Sequence, residues 1–292
     1  MRPSLKHRCE LLGIWALKIV ANALPSRLAG VVGGFTGRMV GLAWRGRRRI
    51  AVANLQRAFA GFTPDQIERL VNDTFDNLGR TAFEILRFRR ESPEAILARV
   101  DSDGDEPLAA AYRKGKGAIV MSGHFGNWEM FGAWVRARGY PVDFVVKPMR
   151  NPLVDAMYNA QRAALDVGII HTQVATRGIV RALQEKRFVA ILADQYAGED
   201  GIEVEFFGRR VSTPRGPAAL ALRYGCPLLT GVLVRRPRRR FRAQIDGAID
   251  YEPTGDHARD VFALTQEFTR RLENHIRQYP DQWLWTHRRW RD

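Results

Sequence analysis

Cysteine and long apolar runs are both scarce in this chain of 292 residues. The only two cysteines are Cys9 and Cys226, and two thiols cannot form the disulfide framework of a secreted scaffold. A reducing compartment is therefore the simpler expectation. No apolar run reaches the roughly 20 residues of a membrane-spanning helix, which excludes a protein with several spans. Hydrophobic residues still make up 46% of the chain, which is ordinary for a globular protein and excludes a disordered one.

Acidic residues are scarce in the first fifth of the chain. Residues 1–60 contain eleven Lys and Arg but a single acid, Glu10, and they carry most of the net charge of +15. A protein that binds nucleic acid along its whole length would distribute its basic residues more evenly, so we expect no nucleic-acid partner. Basic charge concentrated at one end favours contact with an anionic surface instead.

Two apolar segments lie within this basic region. Residues 11–24 are apolar apart from Lys18 and Asn22, and residues 28–44 form a second, glycine-rich segment that precedes an arginine cluster. The first segment is shorter than a helix that spans a bilayer. The pattern predicts one or two helices lying in the membrane interface, and whether the N-terminal helix crosses the bilayer stays open. Ordinary amphipathic helices packed on the protein are the alternative.

Beyond residue 60 the apolar pattern predicts an α/β domain over residues 61–292. Thr63, Pro64 and Gln66 are typical of a helix start with a capping box. From about residue 115, short apolar runs alternate with helical segments, which predicts a mixed, mostly parallel sheet flanked by helices. The predicted strands are residues 118–122, 142–146, 188–193, 228–234 and 241–245. Residues 1–60 form the other part, a set of basic, membrane-associated helices.

Polar residues follow three of the predicted strands, where the sites of such sheets gather. His124 follows the first strand between two glycines, and Glu129 falls in the first turn of the next helix. From there its carboxylate is expected to reach the imidazole, fix the tautomer and leave the other ring nitrogen as a base. We therefore predict that His124 and Glu129 are catalytic. The alternative is a histidine that caps the helix, with Glu129 favouring its positive end.

Five further polar residues are candidates for binding substrate. Arg150 follows the second strand, and its guanidinium suits phosphate oxygens. Asp194 and Gln195 follow the third strand, where they would order Arg150 or an acyl donor. Arg215 stands at a predicted helix start as a second phosphate candidate, and Asn127 lies within the histidine block. Each also has a structural interpretation as a cap or a solvated turn residue, and no Cys/His cluster indicates a metal site.

Five blocks of the chain resemble, in order, the late lipid A acyltransferases of Gram-negative envelopes, within the lysophospholipid acyltransferase superfamily. SGHFGNWE at residues 122–129 resembles the His-x4-Asp/Glu block of that superfamily. The other blocks are KPMRNPLVD at 147–155, ILADQY at 191–196, FFGRRVSTPRGPAAL at 206–220 and QWLWTHRRW at 282–290. The resemblance extends from about residue 5 to the C-terminus. It departs from many relatives in having Glu at position 129 and a short first apolar helix.

This resemblance implies a glycerolipid acyltransferase-like fold and an O-acyltransferase. The enzyme would move a fatty acyl chain from an acyl-carrier-protein or coenzyme A thioester to a hydroxyl of a lipid A precursor, with no resident cofactor. His124 would accept the hydroxyl proton, Glu129 would orient it, and N–H groups after Gly126 would bind the oxyanion. The implied partners are a membrane lipid acceptor and an acyl carrier protein, at the cytoplasmic face of the inner membrane.

Alternatives to this function remain. The acceptor could be another glycolipid, such as a phosphatidylinositol mannoside, or a lysolipid. The same base could activate water, which would make the protein a thioester hydrolase, or the chain could be a non-catalytic membrane- or nucleic-acid-binding protein. The arginine run at residues 235–242 is interpreted as a solvated hairpin tip. The aromatic residues near the histidine block either line an acyl groove or pack in the core: Phe125, Trp128, Phe131 and Trp134.

Overall fold

The computed structural model describes residues 3–88, 91–237 and 240–291. Within these ranges, the first part of the chain is helical and the rest alternates strands with helices. The helices are α1 (Leu5–Ala23), α2 (Ser26–Ala43), α3 (Arg45–Ala58), α4 (Pro64–Arg87), α5 (Pro93–Arg99), α6 (Glu106–Arg113), α7 (Trp128–Ala137), α8 (Pro152–Ala164), α9 (Ala175–Gln184), α10 (Gly216–Tyr224) and α11 (His257–Gln278). The strands are β1 (Val100–Ser102), β2 (Ala118–Ser122), β3 (Val142–Val146), β4 (Gly168–His171), β5 (Phe188–Leu192), β6 (Ile202–Phe206), β7 (Arg209–Thr213), β8 (Leu228–Arg235) and β9 (Phe241–Asp246).

Seven strands form one sheet in the order β1–β9–β8–β2–β5–β3–β4. The five strands from β8 to β4 in this order are parallel to one another, and β9 runs antiparallel to β8. The carboxyl ends of these five strands therefore lie along one edge. β6 and β7 form a separate antiparallel hairpin. The predicted α/β fold, with a mixed, mostly parallel sheet flanked by helices, is confirmed.

The five predicted strands are all present, and their bounds differ from the predicted ones by no more than one residue. β2 and β8 are almost entirely buried, which makes their largely apolar runs easy to recognise in the sequence. The start of α4 is also confirmed, because Thr63 and Gln66 form the reciprocal hydrogen bonds of a capping box. The sequence patterns did not indicate β1, β4 or the β6–β7 hairpin, which are short or carry charged residues at alternate positions.

The helix α2 packs on α4 through its glycine-rich face. A Cβ at Gly37 would lie 2.0 Å from the carbonyl oxygen of Phe75, and one at Gly79 would lie 2.1 Å from that of Gly33. The helices therefore approach too closely for side chains. The large residues of α1 and α2 point away from this contact, and the exposed ones include Leu12, Trp15, Ile19, Leu28, Val31, Phe35, Met39 and Leu42.

These N-terminal helices are present, but their contact with a membrane stays a prediction. In the described ranges, none of the helices combines the length and the apolar character needed to cross a bilayer. The division of the chain near residue 60 also stays a prediction. What the structure adds is an exposed apolar face on α1 and α2, next to the basic residues of the same region.

The arginine run after β8 is not simply a solvated tip. Arg235 is largely buried, with 12% of its side chain exposed, and it forms an ion pair with Glu84 of α4. Arg240 and Arg242 form exposed ion pairs with aspartates near β1. Residues 238–239 lie outside the described ranges. The interpretation as a solvated tip is therefore wrong for Arg235, because the end of β8 reaches the buried carboxylate of α4.

Candidate active site

His124 and Asp194 meet at the edge of the sheet where the parallel strands end. His124 follows β2 and Asp194 follows the neighbouring strand β5. The Nδ1 atom of His124 lies 2.8 Å from Oδ1 of Asp194, and the His124 backbone N–H donates to Oδ2 at 2.8 Å. Trp283 also donates its indole N–H to Oδ2, at 2.8 Å. Three hydrogen bonds therefore hold a carboxylate that is only 3% exposed.

The two side chains stabilise each other's charged forms. Burial alone would raise the pKa of Asp194, but the charge of His124 and its hydrogen bonds lower that pKa to about 2. Burial would lower the pKa of His124, whereas the nearby charge of Asp194 and the hydrogen bond raise it above its ordinary value. The pair is thus arranged so that an imidazolium is stabilised as it forms.

The arrangement also leaves one ring nitrogen for chemistry. Because Asp194 accepts at Nδ1, the neutral imidazole keeps its proton there and Nε2 carries the lone pair. No group in the described part of the chain hydrogen-bonds to Nε2, and 21% of the His124 side chain is exposed. The ring of Trp128 packs against the imidazole, with 5.2 Å between centroids. The geometry is that of an oriented general base.

The predicted contact between Glu129 and the imidazole is wrong. Glu129 does lie in the first turn of α7, but Arg162 of α8 binds its carboxylate in a bidentate ion pair. The Nε–Oε2 distance is 3.0 Å and the Nη2–Oε1 distance is 2.5 Å. About nine-tenths of each side chain is buried. Spacing along the chain placed Glu129 near His124, but it did not reveal the arginine 33 residues further on that binds the carboxylate.

The side chains of Asn127 and Asp194 form hydrogen bonds within the protein, and the substrate contacts predicted for them stay predictions. Asn127 is fully buried; its Oδ1 accepts from the backbone N–H of Met130 at 3.0 Å, and its Nδ2 donates to Glu84 at 2.8 Å. It is therefore the N-cap of α7. The oxygens of Asp194 are bound by His124 and Trp283, so this carboxylate orients the histidine.

The other candidates for binding substrate lie at the surface around the site. Arg150 follows β3 and Arg215 precedes α10, and both are exposed. Neither forms a hydrogen bond or an ion pair with another described residue, and the structure does not bring them into contact with His124. Gln195, next to Asp194, lines a cavity. The substrate-binding roles of these three residues stay predictions, as do the catalytic roles of His124 and Glu129.

A buried polar network, not foreseen from the sequence, holds the loop that follows β2. Arg235 donates to Glu84 Oε2 at 3.0 Å and to Thr81 Oγ1 at 2.8 Å, and Thr81 in turn donates to the carbonyl of Gly126 at 3.0 Å. Burial would raise the pKa of Glu84, but Arg235 lowers it and keeps the carboxylate charged. Gly126 has a φ of +54°, and a Cβ there would lie 1.9 Å from the carbonyl oxygen of Leu233. The network and the glycine together fix the strand-to-helix turn.

An apolar cavity of about 480 Å³ adjoins this edge of the sheet. Its walls come mainly from α2, α4 and the C-terminal segment, and they include Gln195 and His287. Burial lowers the pKa of His287, so this imidazole is neutral at neutral pH. Leu17, Val40 and Trp44 line the cavity and are also part of the exposed apolar face of the N-terminal region. The cavity therefore extends from Gln195, beside Asp194, to that face.

The aromatic residues of the histidine block have two different roles. Phe125 and Trp134 are almost fully buried and belong to the core. Trp128 and Phe131 line a small pocket of about 50 Å³, next to the ion pair of Glu129 and Arg162. Core packing thus accounts for three of the four residues, because Phe131 is itself only 3% exposed, and the larger apolar cavity lies elsewhere.

Comparison with known proteins extends over the whole chain. The family described as bacterial lipid A biosynthesis acyltransferase matches residues 2–292. The chain is 26% identical over 244 residues to a phosphatidylinositol mannoside acyltransferase of Mycobacterium tuberculosis, covering 81% of this chain and 75% of the relative. It is 25% identical over 271 residues to a lipid A biosynthesis palmitoleoyltransferase of Escherichia coli, covering 92% and 86%. A lauroyltransferase of the same pathway and organism is 24% identical over 283 residues, covering 96% and 90%.

Proposed function

The chain belongs to the bacterial lipid A biosynthesis acyltransferase family, and on that premise we propose that it transfers a fatty acyl chain from a thioester to a hydroxyl of a lipid A precursor. Its relatives are named acyltransferases, and it is an acyltransferase itself. The observation that carries the finer proposal is the hydrogen bond between His124 and Asp194, beside an apolar cavity. A base and a site for a fatty chain are the two things that this reaction requires.

In the proposed reaction, Nε2 of His124 removes the proton of the acceptor hydroxyl while the hydroxyl oxygen attacks the thioester carbonyl. Asp194 stabilises the imidazolium that forms and holds the ring in place. The tetrahedral intermediate then collapses, its carbon–sulfur bond breaks, and the imidazolium returns the proton to the departing thiolate. No acyl-enzyme forms, so no nucleophilic Ser or Cys is required.

The start of α7 offers donors for the oxyanion of that intermediate. The N–H of Gly126 donates to the carbonyl of Gln282, and the N–H of Met130 donates to Asn127, so these two groups are engaged. The backbone N–H groups of Trp128 and Glu129 have no partner in the described part of the chain. Helix N-termini carry partial positive charge, which favours an anion at this position.

Two features support a fatty substrate drawn from a membrane. The cavity next to Gln195 and His287 is apolar, as a site for an acyl chain must be. The walls of the cavity reach the exposed apolar face of α1 and α2, where basic residues would meet anionic lipid headgroups. The proposed location is therefore the cytoplasmic surface of the inner membrane, with an acyl carrier protein as the expected donor.

A phosphatidylinositol mannoside is the second candidate acceptor. The mycobacterial relative is named for phosphatidylinositol mannoside, and its identity to this chain is as high as that of the lipid A enzymes. The chemistry at His124 would be the same with either acceptor. Without a bound acceptor, the same base would activate water and the thioester would be hydrolysed.

Acyl transfer by membranes containing the protein tests this proposal. They receive a long-chain acyl-carrier-protein or acyl-coenzyme A, with either a tetra-acylated, Kdo-bearing lipid A precursor or a phosphatidylinositol mannoside. We expect one added acyl chain on the lipid A precursor by mass spectrometry, and its loss in His124→Ala. His171→Ala is the matched control, because this histidine lies at the end of β4, on the same edge.

The other results of this assay have distinct meanings. If product forms only with the mannoside, the mannoside is the acceptor and the proposed chemistry at His124 is unchanged. Free fatty acid without an acylated lipid would favour a hydrolase. A product that persists in His124→Ala would overturn the proposed role of His124.

A further inference from the structure

The imidazole of His287 forms part of the wall of the apolar cavity, and contacts within the protein fix its tautomer. Nε2 accepts the backbone N–H of Tyr196 at 3.3 Å, so this nitrogen carries no proton. Burial lowers the pKa of His287, which keeps the ring neutral at neutral pH. A neutral imidazole with an unprotonated Nε2 carries its one proton on Nδ1. His287 is therefore an N–H donor.

This donor is left for a ligand. In the part of the chain that the structure describes, Nδ1 of His287 has no hydrogen-bond partner, and the atom stays accessible to solvent. It differs in this from Nδ1 of His275, which also lacks a partner but is shielded from solvent. A single oriented donor in a mainly apolar wall is how a lipid-sized site fixes the orientation of its ligand.

His287 lies close to the proposed base. The backbone N–H of Leu284 donates to the carbonyl of His124 at 3.1 Å, and the backbone N–H of His287 donates to the carbonyl of Leu284 at 3.3 Å. Tyr196, which binds Nε2, lies two residues after Asp194. Burial has the largest effect on the pKa of His287, and the charges of Asp194 and His124 have smaller ones, so both side chains lie near it.

The position of the reacting carbonyl follows from the base and the cavity. Its carbon must lie next to Nε2 of His124, because the hydroxyl that attacks this carbon gives its proton to that nitrogen. The acyl chain starts at the same carbon and, in the proposed function, occupies the apolar cavity. The carbonyl is therefore expected at the end of the cavity that Gln195 and His287 line, beside Asp194.

We propose that His287 donates its Nδ1–H to the carbonyl oxygen of the acyl thioester and stabilises the oxyanion that forms during attack. The inference rests on the proposed function, and it adds a side-chain donor to the backbone N–H groups at the start of α7. An oxyanion accepts more than one hydrogen bond, so these donors act together. His287 keeps its proton throughout, because the hydroxyl proton passes to His124 and then to the departing thiolate.

Two substitutions of His287 distinguish a hydrogen-bond donor from a ring that only fills space. His287→Phe keeps a ring and removes the N–H, whereas His287→Asn places an amide NH2 close to the position of Nδ1. We expect kcat to fall about 10²-fold in the first, as for the loss of one oxyanion donor, and to stay within about tenfold of wild type in the second. KM should change little. His257→Phe is the matched control, since His257 is an exposed histidine at the start of α11.

Binding of donor analogues to the purified full-length chain in detergent micelles tests the contact without turnover. One probe is an acyl-dethia-coenzyme A, a ketone in which CH2 replaces the sulfur and the carbonyl is retained. The other is an S-alkyl-coenzyme A thioether of equal chain length, which has no carbonyl. In titration calorimetry, His287→Phe should weaken binding of the ketone by about three- to tenfold, the loss of one neutral hydrogen bond. Binding of the thioether should be unchanged.

The inference is overturned if His287→Phe keeps the kcat of wild type, if it weakens both analogues equally, or if wild type binds neither. Melting temperatures establish that each variant is folded. If His287→Phe does not fold, His287→Gln replaces it, because its amide reaches the position of Nε2 and leaves no donor at Nδ1. If acyl transfer fails with both acceptors while the selective loss of ketone binding holds, the proposed function fails and the carbonyl contact stands.

Discussion

Replacing Asp194 by asparagine is the sharpest test of the candidate active site. The substitution keeps the size of the side chain but exchanges one oxygen for an NH2 group. The backbone N–H of His124 and the indole of Trp283 both donate to Oδ2, so the single remaining oxygen is expected to take that position. The NH2 group then faces Nδ1 and donates to it. The imidazole proton moves to Nε2, the atom that the proposed mechanism needs as a base.

The size of the effect follows from the coupling of the two groups. The charge-assisted hydrogen bond of Asp194 stabilises the imidazolium by about 2 kcal/mol. Losing that stabilisation of the imidazolium in the transition state slows the reaction about 30-fold. The wrong tautomer removes general-base catalysis as well, which contributes about 10²–10⁴-fold. We therefore expect kcat to fall by about 10³-fold or more, with little change in KM.

The pH dependence gives an independent check. His124 must be neutral to act as a base, so activity rises with pH through its pKa. Asp194 raises that pKa. Removing its charge should therefore move the acidic limb of the variant's pH–activity profile to lower pH. Glu129→Gln is the contrast. The carboxylate of Glu129 is bound by Arg162, and its charge contributes least to the pKa of His124, so the limb should stay near its wild-type position.

Steady-state acyl transfer across a pH series supplies kcat and the limb, and ¹⁵N NMR of labelled histidine reports which ring nitrogen is protonated. The reasoning is refuted if Asp194→Asn keeps kcat within about tenfold of wild type with the proton still on Nδ1. It is also refuted if Glu129→Gln moves the limb and Asp194→Asn does not.

Three further predictions concern the turn, the ion pair and the apolar cavity. Gly126→Ala should lower the free energy of unfolding by about 2 kcal/mol or more in urea titrations, and by clearly more than Gly115→Ala, which has a similar φ but open space around it. Arg162→Gln leaves the buried carboxylate of Glu129 without its partner and should cost about 3–5 kcal/mol; a loss below 1 kcal/mol would contradict its burial. Ala82→Phe narrows the apolar cavity and should shift kcat/KM toward shorter acyl chains by about threefold or more. An unchanged preference would mean that the acyl chain binds outside this cavity.

Several parts of the site were predictable from residue patterns. The apolar runs that became β2 and β5 placed His124 and Asp194 at strand ends, and parallel strands end at one edge. The partner of the histidine was not predictable in this way. We expected Asp194 to bind substrate and Glu129 to bind the imidazole. In the structure, Asp194 binds the imidazole and Arg162 binds the carboxylate of Glu129. Spacing of five residues suggested a contact, but the orientation of a side chain depends on which cation or donor packs beside it.

Residue patterns specify the local features of this chain. The period of the apolar residues sets strands and helices, and the pattern of Thr63 and Gln66 sets a helix start. Contacts between groups that are distant in the sequence depend on the tertiary structure. Asp194 reaches His124 across 70 positions because β5 lies next to β2, and Asn54 of α3 reaches the C-terminal segment through hydrogen bonds to the carbonyls of Trp285 and His287. Strand order and helix packing depend on the free energy of the whole core, which no local sequence pattern specifies.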